Sequence, residues 1–191
     1  MDRYLNFNDL AANEEDYSIE LEDRGSSVTV VAPHGGEIEP HSTDIARLIC
    51  ADDYNLFCFI GTKSSGNRDL HITSHRFDHP GALALVQRSA IVIAVHGCIR
   101  KDCVVLLGGL DQDLVSEIRR QLSRRDICSE PSAQKLRGQH KDNICNRGLR
   151  GKGVQLEISR GLRDSAAAHR SIAAAVRAAV TLLTGDTAQM S

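Results

Sequence analysis

The period of apolar and polar positions changes several times along the chain, and each change predicts an element. Residues 2–17 (DRYLNFNDLAANEEDY) space their apolar side chains at helical intervals and predict an N-terminal helix within 1–16. SIELED alternates and predicts a strand, and GSSVTVVAP is a turn leading into a β-branched run, the pattern of a buried strand. HSTDIARLICADD predicts a helix capped by Ser42 or Thr43, with Ile45, Leu48 and Ile49 on one side. NLFCFIG is a strand and TKSSGNRDL a loop. HPGALALVQRSA predicts a helix with proline near its start. IVIAVHG is a continuous apolar strand ending in histidine, and VVLLGG is a second apolar run. QDLVSEIRRQLSRRD is an amphipathic helix, residues 131–153 are polar and rich in glycine, VQLEIS is the last strand, and an Ala-rich helix over 163–184 closes the chain.

Strands alternating with helices predict an α/β sheet with helices on both faces. The 191 residues, 41% of them hydrophobic, suit one domain spanning 1–191, with the N-terminal and Ala-rich helices packed on it. In such sheets ligands bind at the carboxyl ends of the strands. Three polar residues occupy such positions: His34 after SVTVVAP, His96 in IVIAVHG and Glu157 near the end of VQLEIS. A plain apolar core would not place polar groups there.

The charge pattern narrows the function classes. A net charge of -2 with charges of both signs excludes a basic nucleic-acid footprint over the whole chain. Arg119, Arg120, Arg124 and Arg125 read as a solvated helix face, although they and the basic 135–152 stretch also suit an anionic ligand. The acidic N-terminus has no apolar signal region and does not read as a signal peptide, and the Ala-rich segment carries histidine and arginines at helical spacing, so it reads as an amphipathic helix and not as a membrane span. A cytoplasmic protein is expected, released by lysis if phage-encoded. The six cysteines form no C-x-x-C pair and mostly lie in apolar runs, which predicts free buried thiols.

The stretch VVAPHGGEIEPHS holds half of a possible metal site. A catalytic zinc takes three protein ligands and keeps an open position. His34 with Glu37 or Glu39 offers two, and His96 brings a third from a distant strand. Gly35 and Gly36 would let the backbone turn tightly around the ion. A further carboxylate, Glu157, would serve as general base.

APHGGEIEPHSTDIA, GNRDLHITSHRFDHP, AVHGC and DNICNRGLRGKGVQLEISRGLR, in order from about residue 15 to residue 165, resemble the phage poly-γ-glutamate hydrolase family, which includes bacterial proteins labelled phage-related replication proteins. The resemblance implies a compact relative of the zinc carboxypeptidases: an α/β fold with a central mixed, mostly parallel sheet, one zinc ion, and cleavage of γ-glutamyl amide bonds. The family pattern APHGG-x-IE selects Glu39, so His34, Glu39 and His96 are the implied ligands. The H-x-x-E spacing of ordinary carboxypeptidases would select Glu37. Glu157 matches the carboxypeptidase-like base. Its alternative is a buried carboxylate paired with Arg160 or Arg163. Asn67 and Arg68 stand where carboxypeptidases carry the Asn-Arg pair that holds a substrate carboxylate. Asn146 and Arg147 form a second such pair, and either arginine would also suit an oxyanion. His71 would orient a ligand or meet substrate. His41 and His75 depart from the family pattern and are not assigned as ligands, and His79, His140 and His169 are expected in solvent.

The implied partner is an anionic γ-glutamyl polymer or peptide, and no feature demands an oligomer. Two other readings compete: a zinc amidase acting on peptidoglycan γ-glutamyl links, and a phage-related nucleic-acid-binding protein. Against the last, no helix-turn-helix, zinc ribbon or aromatic–basic stacking pattern is present, and aromatics are 4% of residues.

Overall fold

The continuous apolar runs become the centre of a seven-stranded mixed sheet. Its strands are β1 (Tyr17–Glu22), β2 (Val28–Gly36), β3 (Asn55–Gly61), β4 (Ile91–Cys98), β5 (Val104–Gly109), β6 (Cys128–Pro131) and β7 (Val154–Ser159), in the order β1-β3-β2-β4-β7-β5-β6. The computed structural model describes residues 2–133 and 136–185. Met1, 134–135 and 186–191, which the single-domain reading also covers, lie outside the described residues. Neighbours β3/β2, β2/β4, β4/β7 and β5/β6 run parallel, while β1/β3 and β7/β5 run antiparallel. The predicted α/β class with a mostly parallel mixed sheet is what the chain forms.

Alternate residues of each central strand feed two cores. Val28, Val30, Ala32, Ile91, Ile93 and Val95 face a core shared with α2 (Ser42–Cys50), α4 (Gln112–Ser123) and α6 (Ala166–Thr184). Val31, Val92 and Ala94 face the other way, onto Phe7 and Leu10 of α1 (Phe7–Ala11) and Leu85 and Val86 of α3 (Pro80–Gln87). Burial on both faces is why these strands read as unbroken apolar runs rather than alternations. Among the described residues no helix is long and apolar enough to cross a membrane.

Several expectations need correction. The N-terminal helix is a single turn, Phe7–Ala11, capped by Asn6, because the following acidic residues serve loop contacts: Glu14 pairs with Lys63 at 2.7 Å and accepts from the Tyr4 hydroxyl. The C-terminal helix breaks. A turn, α5 (Arg160–Arg163), precedes α6, and Ser165 caps α6 through Ala168 N–H. The break lets Arg163 turn back under the sheet. Strand β6 was not predicted: it is a four-residue, mostly exposed edge strand ending in proline, so it shows no burial pattern. His79 is half-buried and His169 is buried. His79 caps α3 and packs 4.4 Å from the Phe7 ring, and buried His169 bonds the Arg163 carbonyl. All six cysteines are free thiols, but Cys103 and Cys128 are exposed.

Candidate functional site

Three strand ends meet on the α1/α3 face of the sheet. His96 and Glu157 are direct partners across the parallel β4/β7 ladder, so their side chains leave the same face. β2 lies on the other side of β4 and delivers His34. Its register against β3 slips between Ala32 and Gly35, and the chain then doubles back, Glu39 N–H bonding the His34 carbonyl at 3.0 Å. Gly35 and Gly36 serve this turn by close approach to β3 rather than by wrapping an ion. Gly36 has φ +61°, and a Cβ there would lie 2.4 Å from the Gly61 carbonyl oxygen. The turn brings Glu39 back over His34 and leaves Glu37 exposed.

The donor atoms converge closely. His34 Nδ1 lies 3.1 Å from His96 Nδ1 and 3.1 Å from Glu39 Oε1, and His96 Nδ1 lies 3.6 Å from Glu39 Oε2. Both outward nitrogens are held from behind: His34 Nε2 by the Ile72 carbonyl at 2.8 Å, His96 Nε2 by Ser74 Oγ at 3.3 Å. A donated Nε2–H leaves Nδ1 with its lone pair aimed inward, as a metal-binding imidazole requires. Glu39 Oε2 accepts from Gly97 N–H at 2.8 Å, which fixes the carboxylate.

A tetrahedral ion with bonds of about 2.0–2.1 Å sets its ligand atoms roughly 3.3 Å apart and two imidazole centres roughly 5 Å apart. The His34 and His96 rings are 4.9 Å apart at 63°. A second triplet, His34, Glu39 and His71, also has donor atoms within 4.8 Å of one another. However, the His71 ring stacks on His34 at 4.0 Å and 30°, too close and too parallel for two ligands of one tetrahedral ion. The set His34, Glu39, His96 fits a zinc-like ion better.

Electrostatics follow from burial. Burial raises the Glu39 carboxyl, but His34 and His96 beside it pull it far below the ordinary carboxylate range. Burial lowers His34, and Glu39 outweighs that, leaving it raised. Glu157 is compensated too weakly to follow. Burial, with Glu39 nearby, pushes it up to about 7 against the opposing pull of His96 and His34. It is not paired with Arg160 or Arg163. Its Oε1 accepts from Gln155 Nε2 at 2.8 Å, and Gln155 is held by Asn143 at 2.8 Å. Burial and the neighbouring His34 push His71 down to about 4, so it is neutral near pH 7.

These residues floor an open cleft of 1320 Å³. Its wall carries cations, Arg68, Lys101, Arg137 and Arg160, while Glu39 and Glu157 are the acids of its lining. Among the described residues, the exposed Arg68 guanidinium has no hydrogen bond or ion pair. Of the other predicted substrate contacts, His71 lines the cleft, while Asn67, Asn146 and Arg147 are turned elsewhere. Asn67 is buried and brackets Lys63 through its N–H and carbonyl. Asn146 is buried and braces Gly138, His140 and Gly153. Arg147, itself outside the cleft lining, donates to the carbonyls of Asp142, Phe77 and His75 and so joins two loops that contribute to that lining. Arg163 lies flat on Gly97 and donates to the Ile158, Cys98 and Pro40 carbonyls, securing the Glu39 loop. Its partners are backbone atoms, which no side-chain pattern reveals.

A family model described as poly-gamma-glutamate hydrolase matches residues 4–182. The chain is 39% identical to UPF0714 protein YmaC of Bacillus subtilis (strain 168), over 86% of this chain and 72% of the relative. It spans between 59% and 72% of the lengths of the curated relatives it matches. A solved bacteriophage poly-gamma-glutamate hydrolase superposes with a TM-score of 0.92 at 30% identity, covering 97% of this chain and 99% of the other. The zinc-free apo structure of YndL superposes with a TM-score of 0.85 at 28% identity, covering 99% and 100%.

Proposed function

The chain belongs to the poly-γ-glutamate hydrolase family, and from that premise we propose that it is a zinc-dependent hydrolase cleaving γ-glutamyl amide bonds of poly-γ-glutamate. The observation that carries this reading is the convergence of His34 Nδ1, His96 Nδ1 and the Glu39 carboxylate at 3.1–3.6 Å, with each imidazole held through its far nitrogen. A relative whose structure is called zinc-free supports zinc as the ion. One zinc ion held by His34, Glu39 and His96 would supply Lewis-acid polarisation of the amide carbonyl and lower the pKa of water.

The chain's own groups do the rest. Glu157, beside His96 on the cleft floor, takes a proton from the attacking water and delivers it to the leaving nitrogen. The Gln155 bond occupies one of its oxygens and leaves the other for that exchange. Arg68, free at the rim, grips an α-carboxylate of the polymer through parallel hydrogen bonds. Lys101, Arg137 and Arg160 extend the cationic wall along an anionic chain. Asn67, Asn146 and Arg147 hold the loops that shape the cleft and are not assigned to substrate.

The test is elemental analysis of the purified protein, followed by incubation with poly-γ-glutamate with and without a chelator, the polymer being sized by gel filtration. About one zinc per chain and chelator-sensitive shortening of the polymer are expected. Cleavage that survives complete metal removal overturns the metal role. Zinc-loaded protein that spares poly-γ-glutamate but cuts peptidoglycan γ-glutamyl links moves the substrate to the cell wall.

A further inference from the structure

The loop that backs both imidazoles has no ladder of its own. Residues 71–74 lie outside helix and strand, yet the Ile72 carbonyl holds His34, Ser74 Oγ holds His96, and the His71 ring stacks on His34 at 4.0 Å. Errors in this loop therefore pass directly to the inward nitrogens. One side chain grips its middle from outside. Asp2, 9% exposed, accepts from His71 Nδ1 through one oxygen and from the Thr73 N–H through the other, both at 2.9 Å. These two contacts straddle Ile72.

The rest of the N-terminal segment is docked along the longer connection between β3 and α3 that contains residues 71–74. Arg3 bonds Asp69 at 2.9 Å, Glu14 pairs with Lys63, and Phe7 N–H donates to Asp78 at 2.8 Å. These contacts hold the connection on either side of residues 71–74, and Asp2 is the one that reaches those residues.

We propose that Asp2 is a positioning residue of the metal centre, and that the N-terminal segment acts as an external brace setting the orientation of His34 and His96 through residues 71–74. The proposal rests on the metal-centre reading above. Its specific content is that a residue making no contact with His34, Glu39 or His96 controls how well they hold an ion.

The experiment measures zinc affinity by competition with a chromophoric chelator for the full chain, Asp2→Asn, Asp2→Ala and Arg3→Ala. Asp2→Asn keeps the shape but cannot accept from both N–H groups in the same way. Both Asp2 variants are expected to bind zinc roughly 10–100-fold more weakly, as for loss of an outer partner of a metal-binding imidazole. The visible spectrum of the cobalt-substituted protein should shift, and far-UV circular dichroism should stay unchanged. Arg3→Ala, in the same segment but off residues 71–74, should bind as the parent does. Asp2 variants with parental affinity and an unshifted cobalt spectrum overturn the brace while leaving the metal centre standing. An equal loss in Arg3→Ala overturns the specific role of Asp2. A parent protein that binds no zinc overturns the metal centre and this inference with it.

Discussion

Glu157 is the residue whose surroundings most constrain its chemistry. Burial against a sheet, with Glu39 close by, raises its carboxyl from 4.5 to about 7, so it is protonated below that value and available as a base above it. Activity should therefore fall as pH drops, with an acid limb between 4.5 and about 7 in the zinc-loaded protein, since a nearby cation draws the value back down. Glu157→Gln should lower kcat by about 10²–10⁴ while zinc content stays near parental, and the residual rate should lose that limb. Steady-state rates from pH 4 to 9 on metal-analysed protein check both halves, and a Gln variant with parental turnover rules out Glu157 as the base. Arg68 makes a different prediction because it stands free at the rim. Arg68→Ala should raise KM for poly-γ-glutamate roughly tenfold with a smaller effect on kcat, the loss of about one charge-assisted hydrogen bond. Arg68→Lys should recover only part of it, since a point charge replaces a planar fork. An unchanged KM in both would remove Arg68 from substrate binding.

Elements explain which parts of this site a sequence can reveal. β2, β4 and β7 are buried on both faces, so their unbroken apolar runs stand out, and a histidine or glutamate at the end of such a run stands out with them. His34, His96 and Glu157 were legible for that reason. Glu39 was legible as one of two carboxylates, and the turn geometry separates it from exposed Glu37. The edge strand β6 buries little and carries no pattern, and residues 2–17 space their apolar side chains like a longer helix although only Phe7–Ala11 is helical, because the acidic residues that follow serve loop contacts. Asn146 and Arg147 form a plausible carboxylate-binding pair in sequence, yet both are consumed by backbone carbonyls, which side-chain spacing does not encode. The Ile72 carbonyl and the reach of Asp2 were invisible for the same reason. The β2 turn gives an element-scale test. Gly36 and Gly25 both have positive φ, +61° and +70°, but a Cβ at Gly25 meets nothing within 4 Å whereas one at Gly36 meets the Gly61 carbonyl at 2.4 Å. Gly25→Ala should cost only the left-handed backbone penalty, about 1–2 kcal/mol. Gly36→Ala should cost more and should also weaken zinc binding, because Glu39 rides on that turn. Urea unfolding midpoints with metal titrations check the pair, and equal costs would deny that close packing on β3 shapes the site.

At the scale of the whole molecule, the cleft draws its chemistry from three neighbouring strands of one sheet. His34 and Glu39 come from one strand and its turn, His96 from the next, and Glu157 from the one beyond. Without an ion, Glu39 is ionised and His34 carries the proton of a buried charge pair; that imidazolium proton must leave before a metal can bind, which makes zinc affinity rise with pH. An ion bound there ties the β2 turn to β4 and exists only in the folded chain, so it must stabilise that state. At a free zinc concentration of about 100–1,000 times Kd the gain is about 2.7–4.1 kcal/mol. For a chain of this size that corresponds to a rise in Tm of roughly 5–15 °C. Calorimetry of zinc-loaded and chelator-treated protein should show that difference at neutral pH and a smaller one under acidic conditions, where a proton competes with the ion for His34. His34→Ala should abolish the difference, because it removes the ligand that faces both of the others. A metal-dependent Tm that survives in His34→Ala would place the stabilising ion elsewhere in the molecule.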